Sequence, residues 1–316
     1  MTSNKPSPKL KPLPLHKKNL HQGDYDLQAL ITAVPELEAY IYKNDFGKVT
    51  VDFSNPKAVK LLNKGLLKRY YNISYWDFPD TNLCPPIPGR VDYIHLLNDL
   101  IVDTVYSKTI KILDIGTGAT CIYPLLGHAV YGWSFVGTDI HKNSLQIAQK
   151  IVDNNNLSQY ISLRLQQDPQ QILTGVLSTT ETLTASMCNP PFFSSAEEAQ
   201  KQTQRKLKGL GTAQNKMERN FSGLAHELWY PGGEKAFLHN YLYQSSLLKT
   251  NCVWYTSLVS KSEHIKSMKK SLEKLGAQQI KILDSSLGNK KSRVVAWTFF
   301  SKKALQELKE NEASAL

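Results

Sequence analysis

Short apolar runs alternate with helical stretches from residue 108 almost to the end of the chain. Five of the runs predict strands, at 110–115, 133–138, 160–165, 183–188 and 253–259. Three stretches have helical spacing, at 144–154, 237–248 and 262–275. Strands that alternate with helices form a mainly parallel sheet with helices on both faces. Two last runs, at 280–283 and 294–300, are too close together for a helical crossover, so we expect them to be antiparallel. The pattern predicts an α/β fold.

The N-terminal part of the chain has a different character. Residues 1–23 contain five lysines, two histidines and four prolines but no acid, which predicts a flexible basic arm, either bound to RNA or frayed. Residues 24–107 have helical spacing, with a helix start at Asn55-Pro56 and a further helix over 93–105, so we expect a small helical extension. A proline-stiffened loop at 83–90 lies between these helices. The alternating region then spans 108–304, and a tail follows at 305–316.

Composition and charge restrict the class of protein. The 316 residues are 41% hydrophobic and 21% charged, which excludes a largely disordered chain. The sequence has no apolar run that could span a bilayer and no apolar core of a signal peptide. The net charge of +11 favours a polyanionic partner such as nucleic acid over a basic surface that only maintains solubility. We expect no disulfide, no metal site and a cytoplasmic location, because the four cysteines are far apart: Cys84, Cys121, Cys188 and Cys252.

A glycine-rich turn follows the first strand of the alternating region. The run ILDIGTGATC at 112–121 has Asp114 at the strand end, followed by Gly116 and Gly118. Glycines let the backbone pass close beneath a ligand, and the next helix offers free N–H groups. A NAD or FAD site is disfavoured because Cys121 stands where the dinucleotide fingerprint has its third glycine. Asp139, about 20 residues further on, can accept hydrogen bonds from both hydroxyls of a ribose; its alternative role is a cap on the next helix. The turn and the acid together predict a nucleoside-bearing cofactor.

The fourth predicted strand ends in Asn189-Pro190-Pro191-Phe192, at the edge that faces the ligand crevice in an open α/β sheet. The Asn189 side-chain oxygen and the Pro190 carbonyl can accept both N–H bonds of a planar amine, and the prolines fix the backbone. Phe192 offers a flat apolar face on which a purine can stack. The alternative is a strand-ending proline turn with Phe192 in the core. Behind the glycine turn and Asp139, the tetrapeptide favours methyl transfer to an exocyclic amine without a metal or a covalent nucleophile.

The order of these motifs resembles that of class I S-adenosylmethionine-dependent amino-methyltransferases. Four segments are similar to the bacterial 23S rRNA adenine-N6 methyltransferase F family: LCPPIPGRVDYIH at 83–95, LDIGTGATCIYPLLG at 113–127, CNPPFF at 188–193 and PGGE at 231–234. The human U6 small nuclear RNA adenine methyltransferase is a more distant relative. The resemblance implies a Rossmann-like class I methyltransferase domain at 108–304, with a seven-stranded, mostly parallel sheet and an antiparallel last strand. It also implies an N-terminal RNA-binding extension at 24–107 and methylation of one large-subunit rRNA adenine.

The resemblance further assigns roles to individual residues. Arg90 would meet the cofactor carboxylate, Asp139 its ribose, and Gln170 in the loop 166–171 its adenine. The glycine turn would line the methionine part, through Asp114, Gly116, Thr117, Gly118, Ala119 and Thr120. The target adenine would lie against Asn189, Pro190, Pro191 and Phe192, with Asn189 also facing the cofactor. The implied cofactor is S-adenosyl-L-methionine, with S-adenosyl-L-homocysteine as its product and no metal.

The basic loop at 194–220 follows the proposed base pocket, so we expect either a lid that folds over RNA or a solvated loop. A target adenine must be unpaired or flipped out of a duplex to reach such a pocket. The expected partner is 23S rRNA or a large-subunit assembly intermediate, with no membrane and no obligate protein partner. Two alternatives stay open. One is the same fold acting on guanine N2 or on a protein glutamine, and the other is a non-catalytic RNA-binding assembly factor.

Overall fold

The computed structural model describes residues 14–80, 82–104, 109–178, 180–195, 197–198, 229–287 and 290–314. Its helices include α1 (Leu27–Ala33), α2 (Pro56–Tyr71), α3 (Ile87–Thr104), α4 (Ile122–Tyr131), α5 (Lys142–Asn154), α6 (Gly233–Leu248), α7 (Ser262–Lys274) and α8 (Lys302–Ser314). Short 3-10 helices span Pro35–Tyr40 and Lys249–Asn251. The strands are β1 (Ile41–Lys43), β2 (Val49–Val51), β3 (Lys111–Ile115), β4 (Ser134–Asp139), β5 (Ile161–Leu165), β6 (Leu183–Cys188), β7 (Cys252–Val259), β8 (Gln279–Leu287) and β9 (Lys290–Thr298). None of the helices in the described ranges has the apolar length that a bilayer crossing requires.

In the described part of the chain, seven strands form one sheet in the order β5-β4-β3-β6-β7-β9-β8. The neighbouring pairs from β5 to β7 are parallel, and β9 is antiparallel to both β7 and β8. The predicted α/β fold, a mostly parallel seven-stranded sheet with an antiparallel last strand, is therefore confirmed. The strand order reverses between β3 and β6. Open α/β sheets bind ligands at such a switch point, beyond the carboxyl ends of the strands.

The β8–β9 hairpin is longer than the sequence predicted. The strands expected at 280–283 and 294–300 extend over Gln279–Leu287 and Lys290–Thr298, so most of the expected connection is a β-ladder. Asp284 lies opposite Arg293 in this added part, with 3.7 Å between Oδ1 of Asp284 and Nε of Arg293. An antiparallel ladder of polar residues needs no apolar run, so hydrophobic patterning does not reveal it.

The N-terminal extension contains two features that helical spacing did not predict. β1 and β2 form an antiparallel hairpin of three residues in each strand, too short for a recognisable alternation. α3 begins at Ile87, inside the loop predicted at 83–90, because a proline is tolerated in the first turn of a helix, where the N–H groups have no intrahelical partner. The predicted start of α2 is correct: the Asn55 side chain accepts a hydrogen bond from the backbone N–H of Lys57 at 3.0 Å.

The described part of the expected flexible arm packs against α3. The backbone N–H of His16 donates to Asp92 Oδ1 at 2.6 Å, and its Nε2 lies 3.0 Å from Asp99 Oδ2. The Asn19 side chain donates to the Pro88 carbonyl at 2.9 Å. His16 and Asn19 therefore contact α3 in the structure, and the flexibility of the arm stays a prediction. Residues 1–13 of that arm lie outside the described residues.

One hydrophobic cluster joins the N-terminal extension to the sheet. Buried side chains of α2 and α3, such as Leu66 and Ile94, belong to the same cluster as Ile112 of β3. Leu305 of α8 is also part of it, so the predicted tail at 305–316 begins with a residue that packs into the core. The next residue of β3, Leu113, belongs to a second cluster, since successive residues of a strand point to opposite faces.

Candidate active site

A cleft of about 210 Å³ opens at the carboxyl ends of β3, β4 and β6. Its walls come from the turn after β3, the loop after β4, the segment after β6 and the first turn of α3. Most of the predicted site residues line it: Arg90, Gly116, Thr117, Gly118, Ala119, Thr120, Asp139, Asn189, Pro190, Pro191 and Phe192. Among the predicted residues, all of which lie in the described ranges, only Asp114 and Gln170 do not line the cleft.

The glycine turn forms the floor of the cleft after β3. Gly116 and Gly118 have φ of +74° and +64°, in the left-handed region that side chains disfavour. A Cβ at either position would meet nothing within 4 Å, so the backbone conformation demands glycine here and the space above stays open for a ligand. The N–H groups of Gly116 and Thr117 both donate to the Thr138 carbonyl at 2.9 Å, which fixes the turn against β4.

Asp139 stands at the end of β4, next to the glycine turn. Its Oδ2 accepts a hydrogen bond from the Gly118 N–H at 2.9 Å, and its Oδ1 accepts one from the His141 N–H at 2.8 Å. The N-cap of α5 is His141, so Asp139 does not cap that helix. Burial raises the pKa of Asp139, although both backbone donors favour its charged form. Each carboxylate oxygen keeps a lone pair that can accept a ribose hydroxyl.

Arg90 reaches the cleft from the first turn of α3. One of its terminal nitrogens donates to the Tyr123 hydroxyl at 2.7 Å, and the guanidinium carbon lies 5.4 Å from the centre of the Tyr123 ring. The Nε atom is buried and has no hydrogen-bond partner in the described part of the chain. A guanidinium binds a carboxylate through paired N–H groups of this kind. The unpaired donor therefore fits a carboxylate bound in the cleft.

Asp114 lies at the end of β3, just before the glycine turn. Its side chain is buried, and neither carboxylate oxygen has a hydrogen-bond partner among the described residues. Burial raises the pKa of the Asp114 carboxyl to about 7. A buried, unpaired carboxylate costs free energy, and such groups concentrate at functional sites. Because Asp114 does not line the cleft, its contact with a cofactor stays a prediction.

The segment after β6 forms the opposite wall of the cleft. The Asn189 side chain has no hydrogen-bond partner in the described ranges, and Pro190 behind it is buried. Phe192 is 41% exposed, so the alternative that it fills the core is wrong. The two groups proposed to hold and stack a base are therefore both available at this wall.

Residues 229–230 support the cleft wall that follows β6. Phe193 forms an isolated β-bridge with Trp229, and the Tyr230 N–H donates to the Phe193 carbonyl at 3.0 Å. The predicted basic loop at 194–220 starts at this bridge, but apart from 194–195 and 197–198 it lies outside the described residues.

Several cleft residues were not predicted from the sequence: Tyr123, His141, Trp229 and Tyr230. The loop predicted to border the adenine does line the cleft, but through Gln166, Pro169 and Gln171 rather than Gln170. The Gln170 carbonyl accepts a hydrogen bond from the Asn240 side chain at 2.6 Å, which ties this residue to α6. Tyr123 had a usable signal, because it lies within the first turn of the helix that follows the glycine turn.

The cleft thus combines the groups that a nucleoside-bearing amino acid requires. Arg90 offers donors to a carboxylate, the open glycine turn receives the chain of the ligand, and Asp139 offers acceptors to a ribose. The Asn189 side chain and the exposed Phe192 ring face the cleft from the other wall. No cluster of metal-ligating side chains occurs among the described residues.

A family model described as RNA methyltransferase matches residues 9–301. The chain is 47% identical to the ribosomal RNA large subunit methyltransferase F of Pseudomonas syringae pv. syringae over 296 residues, which cover 91% of this chain and 90% of that protein. It is also 47% identical to the protein of the same name from Flavobacterium johnsoniae, over 91% of this chain and 94% of the relative.

Solved structures of human METTL16 have the same fold. The catalytic domain in complex with the MAT2A 3′UTR hairpin 1 superposes with a TM-score of 0.76 at 28% identity, covering 91% of this chain and 96% of that one. The N-terminal domain in complex with SAH gives a TM-score of 0.72 at 28% identity, and the match covers 91% of this chain and 99% of that one.

Proposed function

The chain belongs to the RNA methyltransferase family, and we propose that it transfers a methyl group from S-adenosyl-L-methionine to the exocyclic N6 of one adenine in 23S ribosomal RNA. The enzyme class and the cofactor follow from the family. What we propose beyond the family is the base that is methylated, the atom that accepts the methyl group and the RNA that contains this base. The main support for the proposal is the presence at one cleft wall of the Asn189 amide, which has no hydrogen-bond partner among the described residues, and the exposed Phe192 ring.

The residues around the cleft fit the carboxylate, the methionine part and the ribose of the cofactor. We assign its carboxylate to Arg90, whose buried Nε has no partner among the described residues, and its ribose to Asp139. The methionine part would lie over Gly116 and Gly118, where the backbone leaves open space. When bound, S-adenosyl-L-methionine supplies an electrophilic methyl group on a sulfonium sulfur.

Asn189 and Pro190 would orient the acceptor base. The Asn189 side-chain oxygen and the Pro190 carbonyl accept the two N–H bonds of the adenine amine, so that its nitrogen lone pair points toward the glycine turn. Phe192 stacks on the purine ring. This stacking contributes about 1 to 3 kcal/mol per base and offsets part of the free-energy cost of taking the base out of its stack in the RNA. The base nitrogen takes up the methyl group and releases one proton to solvent, so neither residue needs to change its protonation state. The residues of the cleft therefore act by orienting the base amine toward the methyl group.

The choice of 23S rRNA rests on the curated relatives, which are named as ribosomal RNA large subunit methyltransferases at 47% identity. A net charge of +11 is consistent with a polyanionic substrate. We assign RNA binding to the extension at 24–107 and the basic loop at 194–220, and the reaction to the cytoplasm, where ribosomes assemble.

Transfer of tritium from labelled S-adenosyl-L-methionine to 23S rRNA tests the proposal. The rRNA is taken from a strain that lacks this protein, and the product is digested to nucleosides. We expect label in N6-methyladenosine at one site. Label in N2-methylguanosine, or in a glutamine of a ribosomal protein when whole particles are used, would replace the proposed acceptor with one of the alternatives. Binding of SAH without transfer to any of these would favour a non-catalytic role.

A further inference from the structure

The pairing between β6 and β7 stops before the end of β6. The last residue of β6 in register with β7 is Ser186, opposite Tyr255. On its other side β6 stays paired with β3 as far as Cys188, opposite Ile115. β7 itself continues for four more residues, paired with β9. The two strands therefore separate just before Asn189, and the last residues of β6 have no β7 partner in register.

The hydroxyl of Tyr93, from α3, lies where the strands separate. The Cys188 N–H donates to the Tyr93 oxygen at 3.4 Å, and that oxygen lies 2.7 Å from Thr256 Oγ1 on β7. Thr256 Oγ1 also donates to the Ser186 carbonyl at 2.7 Å. The single hydroxyl hydrogen of Thr256 is used in that bond, so the Tyr93 hydroxyl must be the donor to Thr256. Tyr93 therefore links β6 and β7 where their own ladder has ended.

Tyr93 is well suited to hold this position. Its side chain is fully buried, and burial raises its pKa well above the ordinary value, so that the hydroxyl keeps its hydrogen. Its ring meets the Tyr123 ring edge-on, with 5.6 Å between centroids, and Tyr123 in turn binds Arg90. Tyr93 does not itself line the cleft, so it has no contact with a ligand there.

We propose that Tyr93 is a positioning residue: its hydroxyl fixes the end of β6, through Cys188 and Thr256, and so sets where Asn189 presents its acceptor oxygen. This inference rests on the proposed function of Asn189. It makes the N-terminal extension, which supplies α3, a structural part of the acceptor site.

The test is steady-state methylation of 23S rRNA by Tyr93→Phe, measured well below its unfolding temperature. The substitution removes the acceptor of the Cys188 N–H and the donor to the Thr256 hydroxyl oxygen, while the bond from Thr256 to the Ser186 carbonyl remains. We expect kcat to fall about tenfold or more, since small displacements of positioning groups have effects of this size, whereas the dissociation constant of SAH changes less than about twofold. Thr256→Val should reproduce the loss in kcat, and Thr256→Ser should retain most of the wild-type rate.

Tyr255→Phe is the matched control. Tyr255 is a buried tyrosine of β7, but its hydroxyl donates to the Lys249 carbonyl at 3.1 Å and not to a residue of β6. This variant should lose comparable stability and keep its kcat. Equal kcat values for Tyr93→Phe and wild type, or equal losses in Tyr93→Phe and Tyr255→Phe, would overturn the inference. If Tyr93→Phe does not fold, the comparison of Thr256→Val with Thr256→Ser decides in the same way. The identity of the methylated nucleoside made by the wild type tests the proposed function separately.

Discussion

The indole N–H of Trp76 donates a 2.9 Å hydrogen bond to the backbone carbonyl of Thr120. Trp76 precedes α3 in the N-terminal extension, and Thr120 belongs to the glycine turn that lines the cleft. The Trp76 ring is buried against Phe78, with 4.8 Å between centroids at 78°. The extension therefore holds the proposed cofactor turn directly, in addition to sharing a hydrophobic cluster with the sheet.

Trp76→Phe tests this link. The change removes the hydrogen bond and part of the ring, so we expect a loss of about 1 to 3 kcal/mol in the free energy of unfolding. Because the glycine turn loses its support, SAH should bind about threefold more weakly or worse, a difference of roughly 0.7 kcal/mol. Thermal unfolding and isothermal titration calorimetry measure the two effects.

Trp254→Phe provides the control for that experiment. Trp254 is also buried, and its indole donates to Thr104 Oγ1 at 2.8 Å, but it does not line the cleft. A similar loss of stability with unchanged SAH affinity is expected. Equal SAH affinities in both variants would mean that the Trp76 bond is purely structural.

Arg90→Lys tests the proposed carboxylate site. A lysine keeps the positive charge but cannot present paired N–H groups to a carboxylate. The dissociation constant of SAH should rise about 10- to 100-fold, which corresponds to about 1.4 to 2.7 kcal/mol. Tyr123→Phe, which only removes the hydroxyl that accepts a hydrogen bond from Arg90, should give a smaller rise. If Arg90→Lys bound SAH as tightly as the wild type, the carboxylate would lie elsewhere.

Asp114→Asn tests the buried carboxyl group through the pH dependence of stability. The pKa of Asp114 is raised from 3.8 to about 7 in the folded protein, so the folded state binds more protons than the unfolded state between these values. Its contribution to stability is therefore fully present below about pH 4 and is lost as the pH rises through 7. The free energy of unfolding falls by at most about 4 kcal/mol in total once the pH exceeds 7, because three pKa units correspond to about 1.36 kcal/mol each.

The neutral amide should remove most of that loss. Ligand-free Asp114→Asn is expected to unfold at a higher temperature than the wild type at pH 8, with the advantage shrinking steadily toward pH 4. A constant difference across this pH range would show that Asp114 does not titrate as described.

Much of the fold and of the cleft could be read from local sequence. The strand 183–188 was predicted with the bounds of β6, because apolar and small polar residues alternate there up to a proline motif. The glycine turn and Asp139 line one cleft, since the carboxyl ends of parallel strands meet at one edge of a sheet. These features depend on residues that are neighbours in sequence.

The missed features depend on contacts between distant segments. Tyr93 and Thr256 are 163 positions apart in sequence, and Trp76 and Thr120 are 44 positions apart. No local sequence pattern predicts either hydrogen bond. Trp229 joins the cleft wall through its β-bridge to Phe193, a residue that lies far from it in sequence. Gln170 was assigned from the family resemblance, and turn geometry rather than composition decides which side chain of that loop faces the cleft.

The most direct test of the central claim is the effect of Asn189→Ala on turnover and on SAH affinity in the same preparation. Methyl transfer to 23S rRNA should fall below about one-hundredth of the wild-type rate, because the base amine loses its side-chain acceptor. The dissociation constant of SAH, governed by Arg90, the glycine turn and Asp139, should change only slightly. A variant that methylates at the wild-type rate would contradict the assignment of the acceptor site to Asn189.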